Sequence, residues 1–100
     1  DRKLLSDDGV VSVSIVSSKA KGTLLADPKI DSMGFLYDSE AKQILDECQD
    51  KLIAFIEKCA RQGRSLPTIV ESGQLRDYLK SFFFDRTKRR PMIIISLSSI

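Results

Sequence analysis

The chain of 100 residues contains no histidine and no tryptophan, and it has only two cysteines. Imidazole is the usual general base, a member of many catalytic triads and a common zinc ligand. Its absence weighs strongly against an independent triad or metal-dependent active site. Carboxylates, lysine or cysteine could still serve, but the serine-rich segments have no histidine or paired lysine to activate them. We therefore predict no catalytic residue, no metal ligand and no cofactor in this chain.

Long apolar runs and a dominant charge are also lacking. No segment approaches the ~20 apolar residues of a membrane span, and no signal-peptide pattern opens the chain, so we expect no membrane partner. The net charge of +2 is too small to indicate nucleic-acid binding by itself. The carboxylates of Asp7, Asp8, Asp46, Glu47 and Asp50 form small clusters that are typical of solvated turns and helix surfaces.

The two cysteines, Cys48 and Cys59, are eleven positions apart on one predicted helix. At this spacing they share a helix face but lie about 16 Å apart along the axis. A disulfide requires Cα atoms within about 7 Å, so these two residues cannot be bridged to each other. We expect reduced, buried thiols and a reducing compartment.

The strongest local signal lies near the end of the chain, where Lys88, Arg89 and Arg90 precede Pro91. Proline lacks a backbone donor and disfavours a helical conformation for the residue before it, so a helix must end near Arg86. The following run of β-branched and apolar residues, 92–97, predicts a strand. Because the run is nearly continuous, it indicates burial on both faces or an interior position in a sheet.

Two further strands are predicted near the start of the chain. Residues 10–16 are rich in β-branched side chains, which favours a strand. The polar connection 19–22 ends in glycine and predicts a hairpin into a return strand at 23–26. Pro28 interrupts this return strand and places it at an edge of the sheet.

Two helices follow. The first begins at Asp38 or Ser39 and ends at Gly63, with apolar residues at helical spacing over about six turns. The second begins at Thr68, which has capping-box spacing to Glu71, and continues to Phe84 or Asp85.

The predicted order is β-β-α-α-β. It indicates the α+β class, as a small two-layer sandwich with a three-stranded sheet and two helices on one face. We interpret residues 1–100 as one domain and residues 1–8 as the remnant of a linker to upstream domains.

The densest positive cluster consists of Arg86, Lys88, Arg89 and Arg90. Cations in reach of one another could contact RNA phosphates. Cations near a helix C-terminus also offset the dipole and the unpaired carbonyls, and we prefer this second interpretation. No aromatic residues alternate with the cations as they do on single-strand binding platforms.

The sheet provides a second candidate site. If Val11, Val13 and Ile15 face the helices, then Ser12 and Ser14 lie on the opposite, outer face. Either Met92 with Ile94 or Ile93 with Ile95 must share that face. Two helices cover only one side, so we predict a contact surface that contains Ser12, Ser14, Met92 and Ile94.

Four segments of the chain carry a resemblance to a known family. They are residues 2–11, residues 27–37, the acidic helix near Ser39, and residues 87–93. In this order and spacing, they resemble the C-terminal domain of bacterial-type ribonuclease J over essentially the whole chain. The segment 27–37 is similar to the family's P-x-I-x-S-R-G-F-V-Y, and the segment 87–93 to its T-x-R-R-P-M-I.

The chain departs from the family pattern at three positions. Met33 replaces the usual arginine, Ile95 stands where a proline is common, and Ser99 stands where a glutamate is common. These differences are compatible with a divergent paralogue whose catalytic part is itself weakened.

The resemblance implies a larger parent protein. Full-length ribonuclease J combines a metallo-β-lactamase domain, a β-CASP insert and a linker with this small domain. It degrades and matures RNA, including rRNA, in the cytoplasm as a 5′–3′ exonuclease and endonuclease, using zinc held in the lactamase part. The implied partners are the catalytic domains of the same chain, a second copy or a paralogous ribonuclease J subunit, and RNA through the full-length enzyme.

Two functions from different classes follow. The domain is either a non-catalytic module for oligomerisation or docking within an RNA-degrading enzyme, or an accessory module that contacts substrate phosphates. The apolar sheet favours the first function and the basic cluster favours the second.

Overall fold

A computed structural model of the chain describes residues 9–35 and 38–100. The predicted linker remnant, residues 1–8, lies outside the described residues. The elements in chain order are β1 Val10–Ser17, β2 Lys29–Met33, α1 Asp38–Arg61, α2 Leu66–Glu71, α3 Gln74–Thr87 and β3 Met92–Ser99.

Strand β1 lies in the centre of a three-stranded mixed sheet whose strand order is β2-β1-β3. It pairs antiparallel with β2, where Val13 lies opposite Ile30. It pairs parallel with β3 along its whole length, from Val10 opposite Met92 to Ser17 opposite Ser99. The first and last strands in sequence are therefore neighbours in the sheet.

Alternation along β1 separates the two faces of the sheet. Val11, Val13 and Ile15 are buried, and they pack in one core with side chains from all three helices. Ser14, between them, is exposed on the other side. The predicted α+β class, with a three-stranded sheet and helices on one face, is confirmed.

Helix α1 follows the predicted apolar stripe. Ile44, Cys48, Leu52, Ile56 and Cys59 are all buried, and both cysteines are free thiols. The amide Nε2 of Gln49 donates a hydrogen bond to the carbonyl of Pro28 at 2.8 Å. This bond ties the helix to the residue that precedes β2.

The predicted second helix is divided in two, which corrects both its start and its continuity. Helix α2 begins at Leu66 after the N-cap Ser65, three residues before the expected cap at Thr68. The chain then turns at Gly73, which has φ +85° and so cannot continue a right-handed helix. Pro67 is accepted in the first turn because its missing N–H has no helical acceptor there.

The predicted return strand at residues 23–26 is wrong. Leu24 forms only an isolated bridge with Ser17, and the pairing strand is Lys29–Met33, beyond Pro28. The reason is the tight turn after β1, in which the Ser18 amide bonds to the Thr23 carbonyl at 2.8 Å. This turn is followed by an irregular segment that contains the buried Pro28 and leads to β2. The edge position predicted from Pro28 is correct, since β2 is an edge strand of the sheet.

Strand β3 is also an edge strand, which corrects the prediction of a strand that is buried on both faces or interior to the sheet. Ile93 is buried towards the helices, and Ile95 and Leu97 on the same face are partly buried. Ile94 between them is 47% exposed. The apolar run therefore reflects a strand with one face in the core and one apolar outer face.

Two glycines cross at the point where the chain enters the sheet. Gly9 has φ +92°, and a Cβ built on it would lie 2.5 Å from both the carbonyl carbon and the oxygen of Gly34. Such an approach excludes any side chain at residue 9, because the atoms it would meet are backbone and cannot rotate away.

We predict that Gly9→Ala destabilises the domain more than Gly63→Ala does. Gly63 has φ +80° and nothing within 4 Å of the added Cβ, so this control shares only the backbone strain. The strain costs about 1 kcal/mol in both variants, and the clash adds about 1–3 kcal/mol for Gly9→Ala alone. Urea unfolding measures the difference, and equal losses would show that the glycine crossing is not rigid.

Candidate contact surface on the outer sheet face

The four residues of the predicted contact surface lie on one face of the sheet. Ser12 and Ile94 are opposite each other in the β1–β3 register. Met92, two residues before Ile94, and Ser14, two residues after Ser12, lie on the same face. Of the two alternatives for β3, the structure has Met92 with Ile94 on the outer face. Their role in binding stays a prediction.

The apolar residues of this face are concentrated at one end. Met33, Val10 and Met92 form a row across all three strands, and Ile94 lies in the next row. Met33 is 76% exposed and Ile94 is 47% exposed, although both are large and apolar. We refer to Val10, Met33, Met92 and Ile94 as the outer patch.

Apart from the half-buried Val16, opposite Ser98, the rest of the face is polar. The row that crosses β1 at Ser14 contains Lys29 and Ser96, and Asp31 lies opposite Ser12. The outer patch is therefore a bounded apolar surface with a charged and hydroxyl-rich border, as at many protein contact sites.

Sequence reasoning missed Met33 and Val10. Met33 was missed because β2 was predicted at residues 23–26, so its true strand was treated as a connection. Val10 differs in parity from Val11, and that parity would have placed it with Ser12 on the outer face.

The second candidate, the basic cluster, is at the C-terminus of α3. Lys88 caps the helix in a left-handed conformation, with φ +60°, and its amide bonds to the Phe84 carbonyl at 2.7 Å. The Lys88 ammonium and the Arg90 guanidinium lie 5.5 Å and 4.6 Å from the centre of the Phe84 ring. These contacts are in the range of cation–π attraction.

The other two cations of the cluster contact separate parts of the fold. Arg86 forms an ion pair with Glu47 of α1. Arg89 donates a hydrogen bond to the Phe35 carbonyl, and its guanidinium lies 5.3 Å from the centre of the Phe35 ring. Both contacts are to residues outside α3 and not to the carbonyls at its C-terminus, so the helix-end interpretation and the proposed RNA contacts of all four residues both stay predictions.

The Arg86–Glu47 ion pair lies in an open groove of about 390 Å³ between α1 and α3. The phenol of Tyr78 stacks on Phe55, with ring centres 4.3 Å apart, and its hydroxyl donates to the Lys51 carbonyl at 3.4 Å. Acidic and basic side chains line the same groove, so its charges are already balanced within the chain.

Comparison with known proteins agrees with the sequence resemblance. The profile of the ribonuclease J C-terminal domain matches residues 1–100. The chain is similar, at 32% identity over 100 residues, to Ribonuclease J 2 of Staphylococcus epidermidis, Staphylococcus saprophyticus and Staphylococcus aureus. The chain belongs to the ribonuclease J C-terminal domain family. It is covered completely in these matches but spans only 18% of the length of each relative.

Several described residues of the segments that resemble the ribonuclease J C-terminal domain are buried or lie at close contacts. Pro28 and Phe35 are buried, and Phe35 packs edge-on against Phe83 with ring centres 5.3 Å apart. Gly34 lies against Gly9, and Pro91 is buried immediately before β3. These motif residues hold strands and helices together, and their positions do not indicate a site of chemistry.

Over the residues described, no group of three or more His, Cys, Asp or Glu side chains could hold a metal ion. In the same part of the chain, no helix combines the length and apolar character needed to cross a bilayer. Burial raises the pKa of the Cys48 thiol from 9.0 to about 12, and the carboxylate of Glu47 adds to this shift. A thiol of this kind is protonated and unreactive at neutral pH.

We predict that the free energy of unfolding falls as the pH rises above about 9, because the unfolded chain then releases the Cys48 proton while the folded chain retains it. The loss is at most about 1.4 kcal/mol per pH unit. Urea unfolding of the wild type and of Cys48→Ala up to about pH 10 measures it. The stability difference between them should shrink with pH, and parallel pH profiles would contradict the prediction.

Proposed function

We propose that this chain is a non-catalytic domain of a ribonuclease J-type enzyme that supports assembly of the enzyme. The outer patch would be its contact surface, either for the catalytic domains of the same chain or for another subunit. The observation that carries the proposal is the apolar row across all three strands, on the sheet face that the helices leave uncovered.

Energetics support a contact at this patch. Burial of apolar area contributes roughly 25 cal/mol per Å², before the costs of association are subtracted. Met33 and Ile94 are among the largest exposed apolar side chains of the described chain. A contiguous apolar surface with a polar border is typical of an interaction site.

The position of the patch favours docking on the rest of the parent protein. Val10 is the first residue of β1, so the patch lies at the end of the sheet at which the chain enters it. The Met33 side chain, where the family commonly has arginine, makes this patch more apolar than the family pattern implies.

The parent protein would supply the chemistry. In this proposal it is a hydrolase that degrades and matures RNA in the cytoplasm, with zinc in a metallo-β-lactamase domain outside these 100 residues. The names of the relatives, Ribonuclease J 2, support a ribonuclease as the parent protein. The domain would contribute to RNA cleavage only by holding the catalytic parts together.

We predict that Ile94→Asp weakens assembly and leaves the fold intact. The Ile94 side chain is half exposed, so its replacement removes roughly 1 kcal/mol of apolar contact and places a charge in the interface. We expect the dissociation constant of the assembly to rise about tenfold or more. Analytical ultracentrifugation of the full-length parent protein, with and without the substitution, measures assembly. Far-ultraviolet circular dichroism of the same samples reports the fold.

Leu25→Asp is the matched control, because Leu25 is 55% exposed and lies outside the three strands of the sheet. It should leave assembly unchanged. If Ile94→Asp assembles like the wild type, the outer patch is not the contact surface. If it unfolds the domain, Ile94 belongs to the core.

The basic cluster supports an alternative function in RNA binding, which we expect to be weak. Replacing Lys88, Arg89 and Arg90 with glutamine should leave RNA affinity near its starting value, in the micromolar range or weaker at physiological salt. The control replaces Lys19, Lys21 and Lys29, which changes the net charge equally. Fluorescence anisotropy with single-stranded RNA measures the affinity, and gel analysis of the same samples should show no cleavage.

Nanomolar affinity that is lost in the first variant and kept in the control would favour the RNA-binding function. Cleavage that disappears when an acid of this chain is substituted would contradict the non-catalytic assignment.

A further inference from the structure

The two outer strands of the sheet differ in how their free edges are protected. Strand β2 has five residues, follows Pro28 and carries the charged residues Lys29 and Asp31. Charges, proline and short length are the usual means by which an edge avoids pairing with another strand. Strand β3 has eight residues in unbroken register with β1, and neither a charge nor a proline occurs from Met92 to Ile100.

The direction of the backbone groups of β3 follows from its hydrogen bonds to β1. The Met92 amide donates to the Gly9 carbonyl at 2.9 Å, and the Ile100 amide donates to the Ser17 carbonyl at 2.9 Å. In a parallel ladder, alternate residues direct both backbone groups to the same neighbour. The backbone N–H and C=O groups of the even-numbered residues of β3 therefore point towards β1. Those of Ile93, Ile95, Leu97 and Ser99 point towards the open edge.

One outward backbone group of this edge already has a hydrogen-bond partner. The Arg76 guanidinium of α3 donates to the Ile93 carbonyl at 3.0 Å. Within residues 9–35 and 38–100, no other hydrogen bond to the outward groups is present. The edge from Ile95 to Ser99 consequently offers donors and acceptors in the alternation that a further strand requires.

We propose that β3 pairs along this edge with β3 of a second copy of the chain, in antiparallel orientation, to form a continuous six-stranded sheet. This proposal rests on the assembly role proposed above and identifies the partner as a second copy.

The uncharged sequence of β3 makes the second copy a suitable partner. A two-fold axis places the same strand on both sides of the interface, so any charge near the centre would meet a like charge. The strand carries none. Pairing of β3 with β2 of another copy would instead be head-to-tail and open-ended, and Pro28 with the charges of β2 opposes it.

Packing on the inner face favours the same arrangement. Ile95 and Leu97 are only partly buried, at the margin of the core beside the open edge. With the axis near Ser96, Ile95 of one copy lies opposite Leu97 of the other, and the two cores become continuous. The outer faces of both sheets lie on one side, so the outer patch remains available for docking.

Amide hydrogen exchange of the 100-residue chain, followed by NMR over a range of protein concentrations, tests the pairing directly. The described residues enclose a core drawn from all three helices and from β1 and β3, so this chain is suited to the experiment. Amides of Ile94, Ser96 and Ser98 should be protected at every concentration. Those of Ile95, Leu97 and Ser99 should become protected only as dimer forms in sedimentation.

Substitutions provide a second measurement. Leu97→Pro removes an outward N–H and should keep the fold while abolishing dimer formation, since proline is tolerated on a free edge. Leu97→Ala loses the same side chain but keeps the N–H, and it should still form the dimer. Ser96→Pro removes an N–H that points towards β1 and should lower the unfolding midpoint instead.

The outcomes separate this proposal from the proposed function. Concentration-dependent protection of the odd-numbered amides, with Ile94→Asp assembling normally, supports edge pairing and removes the docking role of the outer patch. A monomer at all concentrations with rapidly exchanging odd-numbered amides overturns edge pairing, and the Ile94→Asp test still stands. A dimer that persists in Leu97→Pro also overturns edge pairing.

Discussion

The parallel pairing of β1 with β3 is the constraint on which the rest of the structure depends. Parallel strands cannot be joined by a tight turn, so the chain between them must cross over one face of the sheet. Here the crossover contains β2 and all three helices, and the helices bury the side of the sheet that contains Val11 and Ile93. The same requirement leaves the other face without cover from the described residues. The fold thus creates the candidate contact surface as a consequence of its topology.

The sequence was most informative where one period continued for many residues. Helix α1 was predictable because its apolar stripe runs for several turns and its ends have a cap and a glycine. Strand β2 was not, because Ile30 and Met33 are its only apolar residues and the segment 18–28 separates it from β1, its pairing partner. The break between α2 and α3 rests on Gly73, whose cost in a helix is only about 1 kcal/mol, so sequence alone favoured a continuous helix.

The candidate site was predictable in part for a related reason. Parity within β3 left two alternatives for its outer face, and the register with β1 was needed to choose Met92 with Ile94. Burial of both Phe82 and Phe83, with Phe84 beneath two cations, likewise depends on how α3 lies on the sheet. Cations next to a proline suggested an RNA contact or a helix end. Only the fold showed that Arg86 connects α3 to α1 and that Arg89 contacts Phe35, two residues after β2.

Strand β3 links the two contact modes proposed for this domain. Its position at the end of the sheet follows from its parallel pairing with β1, because β2 already occupies the other side of that strand. The strand therefore presents an outer face through Met92 and Ile94 and an open edge through the backbone of Ile95 and Leu97. Side chains control the first surface and amide groups control the second. Because the two surfaces use residues of opposite parity, docking on catalytic domains and pairing with a second copy can occur at the same time on one strand.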